Sequence, residues 1–442
     1  MELKDLFLTP IYLLLLYAIA YSVRPKATTK LTKQYFIPAL TLKFIGAIGL
    51  GLVYQFYYGG GDTYNYFHHV KIVYHAFTNS PILGLKLVFS QGEHDPLTYQ
   101  YASQMEWYRA PTEFFVIRVA ALISFVTFCT YTPIAIFFAF LSFTGMWALY
   151  ITFLDMYPSL HRKFAIAIFF LPSVFFWGSG LMKDSLTIGA LGWLFYGFYF
   201  ATIKKKNILK SVIIGFLAAY VVYTVKVYVL LSFLPPAIFW VFTENSRKIK
   251  NALLRNLLKP VFIGVGLVMA YFGATNLTEG DARYDVNKIA ERSRINNAYL
   301  SQQMASGSAY NIGVYDGSLS SIITVGPQAI VVSLYRPFLF EVRNPLMLLS
   351  AIEASIFIYF TVLFIYKVGF FKTIKFIRSK PVLTFCMIFS FVLAFAVGTN
   401  SGNFGSLVRY KIPLMPFYLA ALFIMQAHLK RPKKVVRLAT TA

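Results

Sequence analysis

The chain has 442 residues, of which 58% are hydrophobic and 13% are charged. This composition excludes a soluble globular protein and indicates a polytopic membrane protein, whose apolar helices face lipid instead of water. The formal net charge is +24, but the basic residues fall in short clusters between apolar runs. Such clusters orient membrane segments, so the charge predicts contact with membrane lipids and no nucleic-acid partner.

Eleven apolar segments are long enough, or nearly so, to cross a bilayer, which requires about 20 residues of helix. They are residues 7–23, 35–57, 133–155, 163–181, 185–203, 208–225, 228–243, 260–275, 345–366, 381–398 and 412–428. We therefore expect an all-α polytopic membrane protein with about eleven transmembrane helices. Residues 1–442 would form a single integral-membrane domain.

Five basic clusters separate these segments, and the positive-inside rule places them in the cytoplasm. The clusters are residues 24–33, 204–210, 247–259, 367–380 and 430–437. The N-terminus is then outside and the C-terminus cytoplasmic, an arrangement that fits the inner membrane of a bacterium best. Two long loops, 58–132 and 276–344, lie on the extracytoplasmic side, with the connections at 183–184, 226 and 399–411.

Both long loops should contain amphipathic helices at the membrane surface, because loops of this length rarely lack secondary structure. Residues 113–130 are apolar enough to span, but a crossing there would place the lysines at 204–206 outside. We expect an interfacial helix at 113–130. The alternative is that this segment crosses and another apolar segment is re-entrant.

Asp62 follows three glycines, 59–61, directly after an apolar run that is long enough to cross a bilayer. In a purely structural interpretation, the glycines allow a sharp turn and Asp62 is the N-cap of the next helix, without a chemical role. In a functional interpretation, Asp62, Tyr66 and His69 share one face of that helix, so that an acid, a phenol and an imidazole point towards the membrane surface. The two interpretations are compatible.

Lys183 and Asp184 stand in a break between two apolar segments, and Lys226 marks the tip of a hairpin between two others. The structural alternatives are an ion pair between the adjacent Lys183 and Asp184, and a Lys226 side chain that extends to the aqueous interface. Charges so close to hydrocarbon are nevertheless expected to be functional.

Three arginines, Arg336, Arg343 and Arg409, fall on the same extracytoplasmic side. Guanidinium groups bind phosphate in a planar, bidentate way, although each could simply contact lipid headgroups. One acid beside several cations suits a reaction on a lipid-linked phosphate. The candidate phosphate-binding residues are Lys183, Lys226, Arg336, Arg343 and Arg409, with Tyr66 and His69 beside Asp62.

Glycosyl transfer needs both parts of such a site: cations that hold a leaving phosphate, and a carboxylate that takes a proton from an attacking hydroxyl. Hydrolysis of a lipid phosphate usually requires a nucleophile or a metal cluster in addition, and no such set is evident in the sequence. His68 and His69 point about 100° apart on a helix and make a poor metal pair. A divalent metal held by Asp62 and one of these two histidines stays an open alternative.

The stretch Gly61-Asp62-Thr63-Tyr64-Asn65-Tyr66, the Lys183-Asp184 break and the run Arg409-Tyr410-Lys411-Ile412-Pro413 resemble the GT-C-class integral-membrane glycosyltransferases and the related polymerases of O-antigen and exopolysaccharide repeat units. The resemblance implies a sugar donor linked to a polyprenyl phosphate or diphosphate, a lipid or glycan acceptor, and transfer on the extracytoplasmic side. It also implies that Asp62 is the acid of the first large loop, Asp184 a second acid and Arg409 a phosphate contact.

The chain departs from that pattern in two ways. Many GT-C enzymes have a paired acid in this loop, whereas Asp62 is followed by Thr63, so a divalent metal is in doubt. The additional N-terminal segment and the unplaced residues 113–130 favour the polymerase group.

Two other classes of function compete with a glycosyltransferase of cell-envelope polysaccharide biosynthesis. A transporter or flippase for a lipid-linked or anionic substrate would carry buried charges near discontinuous helices and often an inverted repeat. The sequence shows no such repeat, and only Lys43 and Glu353 stand as charges deep within apolar segments. A non-catalytic envelope assembly subunit would tolerate replacement of Asp62 and Arg409.

Overall fold

The computed structural model describes residues 2–93, 95–246, 289–303, 308–313 and 316–429. Within these ranges the chain is mainly helical and has no β-strand. One isolated β-bridge joins Ala309 to Asn403. The first ten helices are α1 (Leu3–Ala27), α2 (Lys33–Leu52), α3 (Asp62–Asn79), α4 (Pro81–Phe89), α5 (Tyr99–Ala102), α6 (Pro111–Val126), α7 (Tyr131–Met156), α8 (His161–Phe169), α9 (Pro172–Trp177) and α10 (Lys183–Phe198). The next nine are α11 (Ile208–Ser246), α12 (Ile289–Gln303), α13 (Leu319–Thr324), α14 (Gly326–Tyr335), α15 (Pro345–Val368), α16 (Phe370–Ser379), α17 (Pro381–Asn400), α18 (Phe404–Tyr410) and α19 (Met415–Leu429). The described part of the chain confirms the all-α prediction.

Among the described residues, seven helices are long and apolar enough to cross a membrane, and one bent pair adds an eighth candidate. The seven are Leu3–Ala27, Lys33–Tyr57, Tyr131–Met156, Lys183–Ile203, Ile208–Ser246, Pro345–Val368 and Pro381–Asn400. The bent pair is α18 and α19, whose axes turn through 70°. The expected number of eleven spans stays a prediction, because segment 260–275 and basic clusters 247–259 and 430–437 lie outside the described residues.

The prediction of one continuous span over 163–181 is wrong. Helix α8 ends at Phe169, and the short helix α9 begins at Pro172. Proline has no backbone N–H and restricts the residue before it to extended conformations, so it starts a helix more readily than it continues one. The interruption produces a short helix of six residues inside the apolar core.

Helix α11 is a hairpin whose two arms meet at Lys226. Lys226 has extended backbone angles (φ −147°, ψ 75°) within an otherwise helical stretch. Gly197 touches the backbone of Gly215 in the first arm, while the neighbouring Phe198 packs on Trp240 in the second arm, with ring centroids 5.8 Å apart. In a straight helix, positions 215 and 240 would be about 37 Å apart. The two arms therefore fold back on each other, as the separate predicted spans 208–225 and 228–243 require.

The bundle has two ends that differ in charge. The start of α1 meets the start of α7 where the backbone N–H of Thr132 donates to Asp5 at 2.8 Å. At the other end, Trp147 donates to the carbonyl of Ala27 at 3.1 Å, and Lys204 pairs with Asp155. The three basic clusters in the described residues, 24–33, 204–210 and 367–380, all follow helices that finish at this second end. We call it the basic end, and the other the acidic end.

Helices α7 and α10 approach each other more closely than side chains normally allow. A Cβ atom at Gly145 would lie 1.7 Å from the carbonyl oxygen of Gly189, and one at Gly192 would lie 2.0 Å from that of Gly145. Only glycine permits this contact between the two backbones. The contact fixes α10, and with it Asp184, against the centre of the bundle.

Both predicted extracytoplasmic loops contain helices in their described parts. Loop 58–132 holds α3 to α6, and loop 276–344 holds α12 to α14. Helix α6 covers much of segment 113–130 and packs on α3, where Phe77 and Phe125 stack with ring centroids 3.8 Å apart. It is not among the helices long enough to span. A position at the membrane surface stays a prediction.

Candidate active site

Asp62 begins helix α3 at the acidic end of the bundle. The three glycines before it all have positive φ, at +68°, +138° and +116° for residues 59, 60 and 61, and they turn the chain sharply, as the sequence predicts. The N-cap position belongs to Gly61, and the Asp62 side chain makes no capping hydrogen bond. The expectation that Asp62 caps the helix is therefore wrong, because the carboxylate is one position too far along the chain and is directed elsewhere.

Arg409 is the partner of Asp62. Its Nη2 atom lies 2.8 Å from Oδ2 of Asp62, and Nη1 donates to the hydroxyl of Tyr54 at 3.2 Å. Helix α18 brings the guanidinium to this place, and its first turn is capped by Asn403, whose Oδ1 accepts from the N–H of Ser406 at 2.9 Å. An arginine near the end of the sequence thus meets an acid near its beginning.

Asp184 and Lys226 form a buried ion pair directly behind Arg409. Lys226 donates to Oδ1 of Asp184, and Oδ2 of the same carboxylate lies 3.5 Å from Nη2 of Arg409. The side chains of Asp184 and Lys226 are only 1% and 7% exposed. Asp184 is therefore bound by a residue distant in the sequence and not by the adjacent Lys183 alone, and the Lys226 ammonium is buried instead of reaching out to the interface.

These four side chains, Asp62, Asp184, Lys226 and Arg409, make up what we call the charge cluster. It contains two carboxylates and two cations, and its exposure rises from the buried Asp184 to Asp62, whose side chain is 47% exposed. Asp184 Oδ2 and Arg409 Nε are buried and have no hydrogen-bond partner. Buried polar atoms normally have such partners, and here the nearest charged group to Asp184 Oδ2 is Nη2 of Arg409 at 3.5 Å.

Aromatic rings surround the cations of the charge cluster. The guanidinium of Arg409 lies 5.9 Å from the ring centre of Trp177, and the ammonium of Lys226 lies 5.2 Å from that of Tyr410. Tyr54 packs edge-on against Trp177 at 6.5 Å. Rings at these distances attract cations and exclude water. Sequence reasoning missed Tyr54 and Trp177, because aromatic residues at membrane interfaces are too common to be informative.

Lys183 lies beside the charge cluster but is directed to another acid. Its ammonium pairs with Glu113 and donates to the hydroxyl of Thr112 at 2.9 Å. Burial of Glu113 would raise its pKa, but the charge and hydrogen bond of Lys183, together with a hydrogen bond from Thr112, outweigh burial and lower the pKa below 4.5. Glu113 was not predicted. An acid in the first turn of an apolar helix is the signal that could have identified it.

Tyr66 and His69 share the face of α3 that packs on Trp107, with ring centroids 4.8 and 5.1 Å apart. Burial raises the pKa of Tyr66 and lowers that of His69 to about 4, with a further lowering from His68. The imidazole is therefore neutral at neutral pH and offers a phosphate no positive charge. Its buried Nδ1 atom has no hydrogen-bond partner. A binding role for Tyr66 and His69 stays a prediction.

Arg336 and Arg343 are not part of the charge cluster. Arg336 forms a two-atom contact with Glu341, in which Nε lies 3.1 and 3.0 Å from the two carboxylate oxygens, and it lies over the ring of Phe404. Arg343 is exposed and contacts none of the four cluster residues in the described structure. Phosphate binding at these two positions stays a prediction without support from proximity to Asp62.

Buried charged side chains contact the short helix α9 at both of its ends. At its start, Glu353 accepts from the backbone N–H of Ser173 at 2.8 Å and from the hydroxyl of the same residue. At its end, Lys43 donates to the carbonyls of Val174 and Gly178 at 3.3 and 2.7 Å, and to Ser142 at 3.1 Å. An anion at the start and a cation at the end match the dipole of the helix.

This arrangement explains why Lys43 and Glu353 lie deep within apolar segments of the sequence. Lys411, which is also buried, interacts electrostatically with Glu353 and donates to the carbonyl of Arg336 at 3.1 Å. Helix α9 ends at Trp177, which lies beside the Arg409 guanidinium, and Lys411 is two residues after Arg409. The buried charges therefore contact the chain on both sides of the guanidinium. These contacts connect α9 and the residues after α18 to the helices around them.

No group of three His, Cys, Asp or Glu side chains in the described part of the chain is arranged to hold a metal ion. The two acids of the charge cluster are already bound by cations. His69 packs on Trp107, and His68 is exposed to solvent. The question of a divalent metal stays open. Comparison of the chain with protein-family models, with curated proteins and with solved structures gives no match.

Proposed function

We propose that this protein is a membrane glycosyltransferase or a polysaccharide repeat-unit polymerase that uses a sugar donor linked to a polyprenyl phosphate or diphosphate. The observation that carries the proposal is the charge cluster, in which two cations and a half-exposed carboxylate lie side by side at one end of an apolar helix bundle. The cations suit a phosphate and the carboxylate suits a hydroxyl proton. The acceptor is a hydroxyl group of a second lipid-linked or free glycan.

In the proposed reaction, the acceptor oxygen forms a bond to the anomeric carbon of the donor sugar. The bond between that carbon and the phosphate oxygen breaks, and the polyprenyl phosphate or diphosphate leaves with the bonding electrons. Asp62 takes the hydroxyl proton, and Arg409 and Lys226 stabilise the negative charge that develops on the phosphate. Neither an oxidant nor a reductant is needed.

The ion pair between Asp62 and Arg409 couples donor binding to the release of the base. In the resting protein each neutralises the other at 2.8 Å. Phosphate oxygens that bind the guanidinium in a planar, bidentate way replace Asp62 as its partner, so the carboxylate becomes available to the acceptor. Asp184 stays buried, retains Lys226 and holds Arg409 from the inner side.

We place the charge cluster on the extracytoplasmic side of a bacterial inner membrane. The argument is the positive-inside rule, applied to basic clusters 24–33, 204–210 and 367–380 at the opposite end of the bundle. A donor presented on that side would reach Asp62 from solvent while its polyprenyl chain stays among the apolar helices. The reaction then belongs to cell-envelope polysaccharide assembly.

The test is to compare surface polysaccharide and polyprenyl-linked intermediates in the native host for the wild type, Asp62→Asn and Arg409→Lys at matched membrane levels. Glu2→Gln is the control, because the Glu2 carboxylate is 49% exposed and pairs with lysines at the same end of the bundle. We expect Asp62→Asn to stop polymer growth and to accumulate the lipid-linked precursor, while Glu2→Gln leaves both unchanged. Normal polysaccharide from both site variants would refute the proposal.

A transporter or flippase is the second candidate, and the interrupted helix favours it. Discontinuous helices are typical of transporter binding sites, and the break before the six-residue helix α9, which Glu353 and Lys43 contact at its two ends, is such a discontinuity. Proteoliposomes loaded with a polyprenyl-diphosphate-linked oligosaccharide separate the two functions. A transferase consumes the donor and requires Asp62, whereas a flippase moves intact donor across the bilayer and loses this activity in Lys43→Met.

A further inference from the structure

Helix α16 (Phe370–Ser379) joins α15 to α17 at the basic end of the bundle. Its inner side packs on the protein, where Phe376 stacks on His428 with ring centroids 4.3 Å apart and Thr373 is buried. Its other sides are largely open. Phe371 is 84% exposed and Phe370 is 57% exposed, which is unusual for aromatic side chains in water.

The exposed surface of α16 divides into an apolar face and a basic face. At 100° per residue, Phe370, Phe371 and Ile374 fall on one side of the inward-facing residues. Lys372 and Lys375 fall on the other side, whereas Arg378, at about 80° from Phe370, lies between Ile374 and Phe371 at the edge of the helix near its C-terminus. All three cations are exposed, as are Lys367 and Lys380 at the two ends of the helix.

The part of the sequence that contains these five cations has no acidic residue. The last carboxylate of the sequence is Glu353, and none occurs between residues 354 and 442. Among the described residues, no ion pair involves any of the five. An amphipathic helix with an apolar face, unbalanced cations and membrane-spanning helices on both sides is typical of a helix in the plane of the lipid headgroups.

We propose that α16 is a binding site for anionic phospholipid headgroups of the membrane that holds the protein. Phe370, Phe371 and Ile374 enter the hydrocarbon boundary, while Lys372, Lys375 and Arg378 contact lipid phosphates. Each of these three cations, which the inserted apolar side chains hold at the headgroups, should strengthen binding by about fivefold. The site lies at the end of the bundle opposite to the charge cluster and does not depend on the reaction proposed there.

The test uses full-length protein in mild detergent, titrated with short-chain phosphatidylglycerol or phosphatidylcholine and followed by native mass spectrometry. We expect a preference for phosphatidylglycerol that falls about fivefold for each cation removed in Lys372→Gln, Lys375→Gln and Arg378→Gln. The matched control is the triple variant Lys205→Gln, Lys206→Gln and Lys210→Gln, which removes the same charge from exposed lysines at the same end. The control should retain the preference.

A second measurement tests the position of the apolar face without removing any charge. A nitroxide attached to Phe371→Cys, in bilayers of phosphatidylcholine with phosphatidylglycerol, should be accessible to oxygen and protected from a water-soluble nickel complex. Three results would each overturn the proposal: an equal affinity for the two lipids, an equal loss in the control triple variant, or a water-exposed nitroxide, which would show that the apolar face lies outside the membrane.

Discussion

The guanidinium of Arg409 lies 2.8 Å from the carboxylate of Asp62, and it joins the first long loop of the chain to the bent pair α18 and α19. Because Asp62 is half exposed, the attraction between the two charges is screened by water and adds only about 1 kcal/mol or less to stability. We therefore predict that Asp62→Asn leaves the unfolding temperature in detergent nearly unchanged while it abolishes activity. A large loss of stability in this variant would mean that Asp62 is structural.

The buried pair of Asp184 and Lys226 should behave in the opposite way. Removal of one partner leaves an uncompensated charge in the apolar core, so Asp184→Asn or Lys226→Met alone should cost about 3–5 kcal/mol. The double variant should cost less than the sum of the two single variants. Denaturant titration in mild detergent measures this difference.

The matched control for that experiment is the pair of Asp155 and Lys204 at the basic end, whose side chains are 27% and 43% exposed. We expect Asp155→Asn to cost about 1 kcal/mol or less. Additive effects of Asp184→Asn and Lys226→Met would contradict a direct interaction between these two residues.

Stability should depend on acid pH through Glu113. Its pKa in the folded protein is below its ordinary value of 4.5, so the unfolded chain binds the proton more readily. The stabilisation is complete above pH 4.5 and is lost as the pH falls through the lower, folded value. With the side chain 20% exposed, we expect a loss of about 1 kcal/mol.

The pH dependence is checked by thermal unfolding at a series of pH values for the wild type and Glu113→Gln. The variant should be less stable than the wild type at neutral pH and should show a shallower decline in acid. His69 adds a separate decline between its ordinary value of 6.5 and about 4, because burial disfavours the charged imidazole. His69→Phe should remove that part alone.

Lys43 is predicted to be essential for stability although it has no carboxylate partner among its described hydrogen bonds. Its ammonium uses all three N–H groups, on Ser142 and on the carbonyls of Val174 and Gly178. Lys43→Ala removes these three buried hydrogen bonds, although Ser142 still donates to Gly178 and the N–H of Gly178 still donates to Val174, and it should cost about 2–3 kcal/mol. Lys205→Ala, at an exposed position, should change stability by about 0.5 kcal/mol or less.

The close contact between α7 and α10 gives a further prediction. A methyl group at Gly145 has no room against Gly189, so Gly145→Ala should cost about 1–3 kcal/mol or more. At Gly49 in α2, the nearest atom to an added Cβ is 3.5 Å away, an ordinary contact. Gly49→Ala should therefore be neutral or stabilise the helix by up to about 1 kcal/mol. The unfolding temperatures of the two variants provide the test.

Part of this structure follows from the sequence alone. Apolar length identifies the long helices, and the hairpin at Lys226 follows from one charged residue between two apolar runs. The positive-inside rule brings Asp62, Asp184, Lys226 and Arg409 to one end of the bundle. It does so because topology depends on charge and length, which the sequence displays directly.

The partners within that end could not be deduced in the same way. Lys183 and Asp184 are adjacent in the sequence, yet they bind different residues because successive positions of a helix point about 100° apart. Arg336 is expected near the same site, but it forms an ion pair with the nearby Glu341. Lys43 and Glu353 are distinctive in the sequence, but their roles depend on the interruption that Pro172 introduces. Side-chain direction and long-range packing decide these pairs.

The order of synthesis gives the hairpin and the bent pair a further consequence. Asp62 and Asp184 leave the ribosome first, and the cations that bind them, Lys226 and finally Arg409, are synthesised later. Charge balance in the cluster is reached only when the last helices are in place. A chain that stalls before residue 409 would lack the partner of Asp62, and its site would stay incomplete.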